Sequence, residues 1–276
     1  MKIQINEILF NVEVDEAFLN KNLIPVIFLH GFTGSSLEWK FILEKLNKKF
    51  LSVAVDLIGH GDTSSPENPE LYGSESQAQQ LNKIFTALSF KKVILCGYSL
   101  GGRAALSYYA NYADKTAGLI LESSTPGIEE VQLRSERIKS DELLAKKIKE
   151  EGVEKFGSYW LNLPMFDSLK LLPQEEYQNI LKRKINNNPT GLINSLISFG
   201  TGSMPNLWQK IEEINLPVLL ISGEYDDKFC SINERMNLKI RNSQHKILKN
   251  CGHNVHLEKP EEFCNLVNRY LSDNIF

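Results

Sequence analysis

Six short runs of Val, Ile, Leu and Phe, each closed by a glycine or a polar turn, limit what this chain can become more than any other feature. They are IPVIFLHG at 24–31, LSVAVDLIGHG at 51–61, KVILCGYS at 92–99, AGLILESS at 117–124, PVLLISGEYD at 217–226 and QHKILKNCGH at 244–253. Near-continuous apolar runs of this length predict strands buried on both faces, which is the condition of a parallel sheet. Helical patterns such as SESQAQQLNKIFTALSF and LGGRAALSYYANYA lie between them. Strands alternating with helices predict an α/β fold. The N-terminal MKIQINEILFNVEV alternates polar and apolar residues like a strand, and lacks the apolar core of a secretion signal.

The alternation stops after Ser124. From about Thr125 to Asn215 the chain is charged, dotted with aromatics and helical in pattern, and the sheet pattern returns at Pro217. This predicts a core formed by residues 1–124 and 216–276, with a helical cap inserted at 125–215. The chain has 276 residues, 42% of them hydrophobic, enough for one domain with a sizeable core. A formal net charge of −3 with both signs interspersed gives no ground for a nucleic-acid or membrane partner, and no apolar run is long enough to span a bilayer. Cys96, Cys230, Cys251 and Cys264 show no C-x-x-C spacing, so they are expected as reduced thiols in a cytoplasmic protein, a monomer or weak oligomer.

One turn carries chemistry. In LCGYSLGGR, Ser99 occupies the third position of G-x-S-x-G, with a buried strand before it and a helix after it. That context puts a serine on a sharp strand-to-helix turn, with Gly97 and Gly101 giving the backbone room. A serine hydroxyl needs a base, and the base an orienting carboxylate. On such a fold they follow in the order Ser, Asp, His, and Asp226, ending the strand PVLLISGEYD, and His253 in KNCGHNVHLEKP do so. Asp227 is the rival acid and His256 the rival base. His253, His256 and Glu258 are a poor zinc set, because H-x-x-H here has no internal glutamate and no third cluster. The amides of Phe32, in HGFTGS, and Leu100, at the helix start, are the expected donors to a developing oxyanion.

HGFTGSSLEW, DLIGHGDT, GYSLGG, GEYD and CGHNVHLEKPEEF together resemble the α/β-hydrolase family over nearly the whole chain. That resemblance implies a mostly parallel central sheet flanked by helices, with a helical cap insertion. GYSLGGR, ESSTPG, SERIKSDELLA, YWLNLPMF and KRKINNNPTG narrow it further. They resemble the lyases of menaquinone biosynthesis that expel pyruvate, the 2-succinyl-6-hydroxy-2,4-cyclohexadiene-1-carboxylate synthases. Cap segments are the specific part of this likeness, because caps differ between hydrolases of different substrate.

The resemblance implies a small anionic substrate, a triad used for proton abstraction, and no metal or organic cofactor. It assigns carboxylate binding to Arg103, four residues after the serine, and to Arg137 in the cap, with Arg134 and Lys139 as neighbours in register. Helix geometry agrees for Arg103, since residues three or four apart share a face. Trp160 and Phe166 map to aromatic cap residues over the pocket, and Tyr98 to a residue near substrate. The competing expectation is a carboxylesterase or carbon–carbon bond hydrolase acting on an anionic substrate.

Overall fold

The computed structural model describes residues 1–16, 19 and 23–275. Among them eight strands form one sheet. They are β1 (Lys2–Ile5), β2 (Ile8–Val14), β3 (Ile24–Leu29), β4 (Phe50–Val55), β5 (Val93–Tyr98), β6 (Thr116–Glu122), β7 (Val218–Gly223) and β8 (Ser243–Leu248), in the spatial order 1-2-4-3-5-6-7-8. β1 and β2 are antiparallel to their neighbours, and the six strands from β4 to β8 run parallel. The six apolar runs are those six parallel strands.

Strand periodicity explains why these runs lack polar alternation. Ile27, Leu29, Leu95, Leu119, Leu121 and Leu220 face one buried cluster with helices α2 (Ser74–Ala87) and α3 (Leu100–Asn111). Val26, Phe28, Ile94, Cys96, Ile120 and Ile221 face a second cluster with α1 (Lys40–Lys45), the short α8 (Val255–Glu258) and the C-terminal α9 (Pro260–Asn274). With both faces covered, every position must be apolar.

Two readings of the sequence are corrected at the sheet edges. The N-terminal alternation is two strands, broken at Asn6–Glu7, where Asn6 takes a left-handed φ of 52°. β8 is an edge strand with one open side, and its Ile247 is 52% exposed, so it is not buried on both faces.

Between β6 and β7 the chain is helical: α4 (Val131–Leu161), a 3-10 stretch at Pro164–Leu171, α5 (Gln174–Ile185) and α6 (Pro189–Phe199). Gly152, at φ 81° and ψ 164°, breaks α4 into two segments. These helices hold two small apolar clusters of their own, around Phe156 and Leu192 and around Phe166 and Ile180. Met204, Leu207, Trp208, Ile211 and Ile214, further along, pack into the sheet cluster instead.

The helical segment sits on the loops at the carboxyl ends of the strands. Asn187 Nδ2 donates to the Thr33 carbonyl at 2.9 Å, and Lys184 Nζ approaches Glu38 Oε1 at 3.6 Å, with both side chains buried. Gly191 lies against Gly59 so closely that a Cβ on Gly191 would meet the Gly59 carbonyl oxygen at 2.1 Å.

Candidate active site

The site begins with the backbone of Ser99. Its φ of 50° and ψ of −104° are strained for a residue with a side chain. Neighbouring packing enforces this: Ser99 N–H donates to the Glu122 carbonyl at 2.8 Å, and Ser124 Oγ donates to the Ser99 carbonyl at 3.0 Å. The flanking glycines are sterically required. A Cβ on Gly101 would lie 2.1 Å from the Leu29 carbonyl oxygen, and one on Gly97 would lie 2.4 Å from the Gly101 backbone. The turn therefore holds the serine out from the sheet at the start of α3.

His253 Nε2 lies 3.2 Å from Ser99 Oγ, and His253 Nδ1 lies 2.6 Å from Asp226 Oδ2. An Nδ1–H donating to the carboxylate leaves Nε2 free to accept the serine proton. The imidazole is 1% exposed and walled by the rings of Phe229, Tyr98 and Phe166, at centroid distances of 4.8, 5.2 and 5.8 Å. Asp226 is not at the end of a strand, as the sequence suggested. It lies three residues past β7 and caps the first turn of α7 (Asp227–Lys239), accepting from the Phe229 amide at 3.5 Å. Asp227 is exposed.

The rival base is fixed elsewhere. His256 Nδ1 binds both oxygens of Glu122, at 2.9 and 2.8 Å, and its ring stacks on Trp39 at 4.2 Å; all three residues are buried. His253 and His256 thus serve different carboxylates. His30 and His60 hydrogen-bond the backbone: His30 Nε2 accepts from the Leu57 amide at 3.0 Å, and His60 Nδ1 donates to the Ile58 carbonyl at 3.1 Å. Burial, with His30 beside it, lowers the His60 pKa to about 3, so its ring is neutral.

A cavity of about 280 Å³ opens over Ser99. Phe32, Arg103, Arg137 and Trp160 line it, with Ser124, Thr125, Ser140, Ser195 and Thr201. Leu100 is the first residue of α3, where an amide has no partner within the helix. The Phe32 ring meets Trp160 edge-on at 5.3 Å. Phe166 lies over His253 rather than in the cavity wall. Tyr98 does not line the cavity: its ring is 3% exposed and packs against His253. Strand alternation places Tyr98 with Ile94 and Cys96 on the α1 and α9 side, where it packs under Gly31.

Arg103 is 7% exposed and reaches the cavity wall. One of its Nη1 protons goes to the carbonyl of Phe199, the last residue of α6, and the guanidinium lies 5.0 Å from the Phe199 ring. The remaining donors of the fork are available to a ligand. Burial, with Arg137 nearby, pushes the Arg103 pKa down to about 9. Arg137 Nε binds Asp141 Oδ1 at 2.9 Å, with Asp141 buried beneath it. Arg134 donates instead to the Gly202 carbonyl, and neither it nor Lys139 lines this cavity.

Sequence reasoning missed Lys228, a third cation on the cavity wall. Its position two residues after the candidate acid, on the first turn of the following helix, was the available signal. It also missed the Glu122–His256 pair, signalled only by a glutamate ending a buried strand.

A sheet of this order, with a strained serine turn and a hydrogen-bonded Ser–His–Asp chain beneath a helical segment, defines a class of fold. The α/β hydrolase fold family model matches residues 24–260, and the chain belongs to that family. Within it the chain is similar to 2-succinyl-6-hydroxy-2,4-cyclohexadiene-1-carboxylate synthases. It is 42% identical over 247 residues to a protein of Bacillus subtilis (strain 168) provisionally given that name, covering 90% of each chain. It is 30% identical to the synthase of Enterobacter sp. (strain 638), covering 85% of this chain and 86% of that one. The structure of MenH from S. aureus superposes with a TM-score of 0.89 at 33% identity, over 96% of this chain and 98% of that one.

Proposed function

We propose that this chain is a lyase of menaquinone biosynthesis. It eliminates pyruvate from 2-succinyl-5-enolpyruvyl-6-hydroxy-3-cyclohexene-1-carboxylate to give 2-succinyl-6-hydroxy-2,4-cyclohexadiene-1-carboxylate. Relatives carrying that synthase name span nearly the whole chain. The single observation that carries the reading is the convergence of Ser99 with cationic side chains in one cavity. An ordinary ester needs no such charge, whereas this substrate bears three carboxylates.

The chemistry uses the triad for proton transfer. Asp226 holds His253 with Nε2 toward Ser99, and Ser99 Oγ removes the proton from the ring carbon next to the succinyl ketone as its own proton passes to Nε2. The enolate oxygen takes hydrogen bonds from the Phe32 and Leu100 amides, at a helix N-terminus that favours negative charge. The electron pair moves through the ring double bond and breaks the bond to the enolpyruvyl oxygen. The departing enolpyruvate gains a proton and becomes pyruvate, balancing the proton removed. Ser99 forms no covalent bond to substrate. Arg103 and Arg137 grip carboxylates, Trp160 covers the ring, and Phe166 shields His253. A base of this kind contributes about a hundred- to ten-thousand-fold; the oxyanion donors and cations supply the rest. A cytoplasmic setting and a small anionic substrate as the one partner belong to the same reading.

The second reading is a carboxylesterase or carbon–carbon bond hydrolase, which would use the same Ser99, His253 and Asp226. Turnover of an activated neutral ester against turnover of the cyclohexene substrate separates the two. The lyase reading expects pyruvate from the cyclohexene substrate and feeble ester cleavage. Rapid ester cleavage with no pyruvate released would overturn it.

A further inference from the structure

A second cavity, of about 480 Å³, lies between the start of α4 and α7 and shares part of its lining with the cavity over Ser99. Arg137 and Lys228 line both, together with Thr125, Thr201 and Phe229, whereas Ser99 and Arg103 line only the first. The charged residues of the shared wall are thus both cations. Arg137 is already engaged by Asp141 through its Nε. Lys228 Nζ lies 5.4 Å from the Phe229 ring and forms no ion pair among the described residues. Partial burial and the nearby Arg137 lower its pKa from lysine's ordinary value, and the carboxylates of Asp226 and Asp141 offset this only in part.

The substrate of the proposed reaction has a matching layout. The proton removed and the oxygen expelled sit on ring carbons directly opposite one another. With the first carbon at Ser99, the enolpyruvyl limb points away from the serine, and its carboxylate is the anionic group farthest from it. Arg103, one helical turn from Ser99, serves the near end. The cations of the shared wall serve the far end. We propose that Lys228, with Arg137 beside it, binds the carboxylate of the enolpyruvyl limb, the part that departs as pyruvate. This rests on the lyase reading above. Lys228 is a specificity-determining residue that holds the carboxylate and exchanges no proton, so the electron pair of the breaking bond still goes to the enolpyruvyl oxygen.

Free pyruvate keeps that carboxylate, which gives a readout a structural role would not move. The test measures kcat/KM on the cyclohexene substrate and the inhibition constants of pyruvate and of succinate, for wild type, Lys228→Met and Lys228→Arg. A charge-assisted contact is worth about ten- to a hundred-and-fifty-fold. Lys228→Met should lower kcat/KM and raise the pyruvate constant by factors in that range. Its succinate constant should be unchanged, because succinate mimics the limb near Ser99. Lys228→Arg should recover most of both losses. If Lys228→Met has a lowered melting temperature, Lys228→Gln replaces it in the same comparison. The inference is overturned by kcat/KM within about twofold of wild type, by an unchanged pyruvate constant, or by a wild-type enzyme that concentrated pyruvate does not inhibit. Failure of the wild-type enzyme to release pyruvate at all would instead sink the lyase reading.

Discussion

His253 Nδ1 and Asp226 Oδ2 stand 2.6 Å apart, and both side chains are buried. A carboxylate that only accepts fixes the proton on Nδ1 and leaves Nε2 facing Ser99. Asp226→Asn keeps the shape but offers an amide donor, which favours the opposite tautomer. Activity should fall by about ten-thousand-fold, the scale of that substitution in a serine protease triad. Asp227→Asn, on an exposed neighbour, should change kcat by less than about threefold. Steady-state kinetics on the two variants decides it, and the reverse ranking would show that Asp227 orients the base.

Arg103→Ala should lower kcat/KM on the anionic substrate by about ten- to a hundred-and-fifty-fold, the worth of a charge-assisted hydrogen bond. Lys at this position should recover only part, because an ammonium keeps charge but loses the planar fork. Any activity on a small neutral ester should barely change. Equal loss on both substrates with a lowered melting temperature would mean that Arg103 holds up the fold, through its bond to the Phe199 carbonyl.

Lys184 and Glu38 join α5 to the segment after β3, with both side chains fully buried. Removing one member strands a charge, so Lys184→Met should destabilise the protein by about 3–5 kcal/mol. Replacing both, as in Lys184→Met with Glu38→Leu, should cost clearly less than the sum of the single changes. Urea unfolding of the four proteins gives the comparison, and simple additivity would show that the pair does not act as a unit.

Only a protonated Lys228 can grip a carboxylate, and burial with Arg137 nearby holds its pKa below lysine's ordinary value. A lowered pKa on a binding cation leaves the charge in place at neutral pH and removes it as pH rises through the lowered value. The kcat/KM profile, which reports the free enzyme, should therefore fall at a lower pH than an ordinary lysine would give. A profile level through the ordinary lysine range would contradict this.

What the sequence revealed depended on how tightly each residue is tied to a pattern. Ser99 was legible because glycine spacing and a strand–helix context leave little else for that turn to be. Arg103 was legible because helix periodicity counts from Ser99. The partners of His253 and His256 were not separable from spacing, because two carboxylates distant in sequence, Asp226 and Glu122, claim the two rings. Adjacency to the serine did not make Tyr98 a cavity-lining residue, because strand alternation places its ring with Ile94 and Cys96, against His253. Lys228 escaped because a lone lysine on a helix reads as a solvated charge until the cap brings Arg137 beside it.

The central claim is that Ser99 removes a carbon-bound proton so that pyruvate leaves. Its most direct measurement is the rate of pyruvate release from the cyclohexene substrate by wild type and by Ser99→Ala at matched concentration and unchanged melting temperature. Wild type should release one pyruvate per substrate consumed, and the variant should be slowed by more than about a hundredfold, the small end of what a general base contributes. A Ser99→Ala enzyme retaining more than about a hundredth of the wild-type rate would contradict the claim.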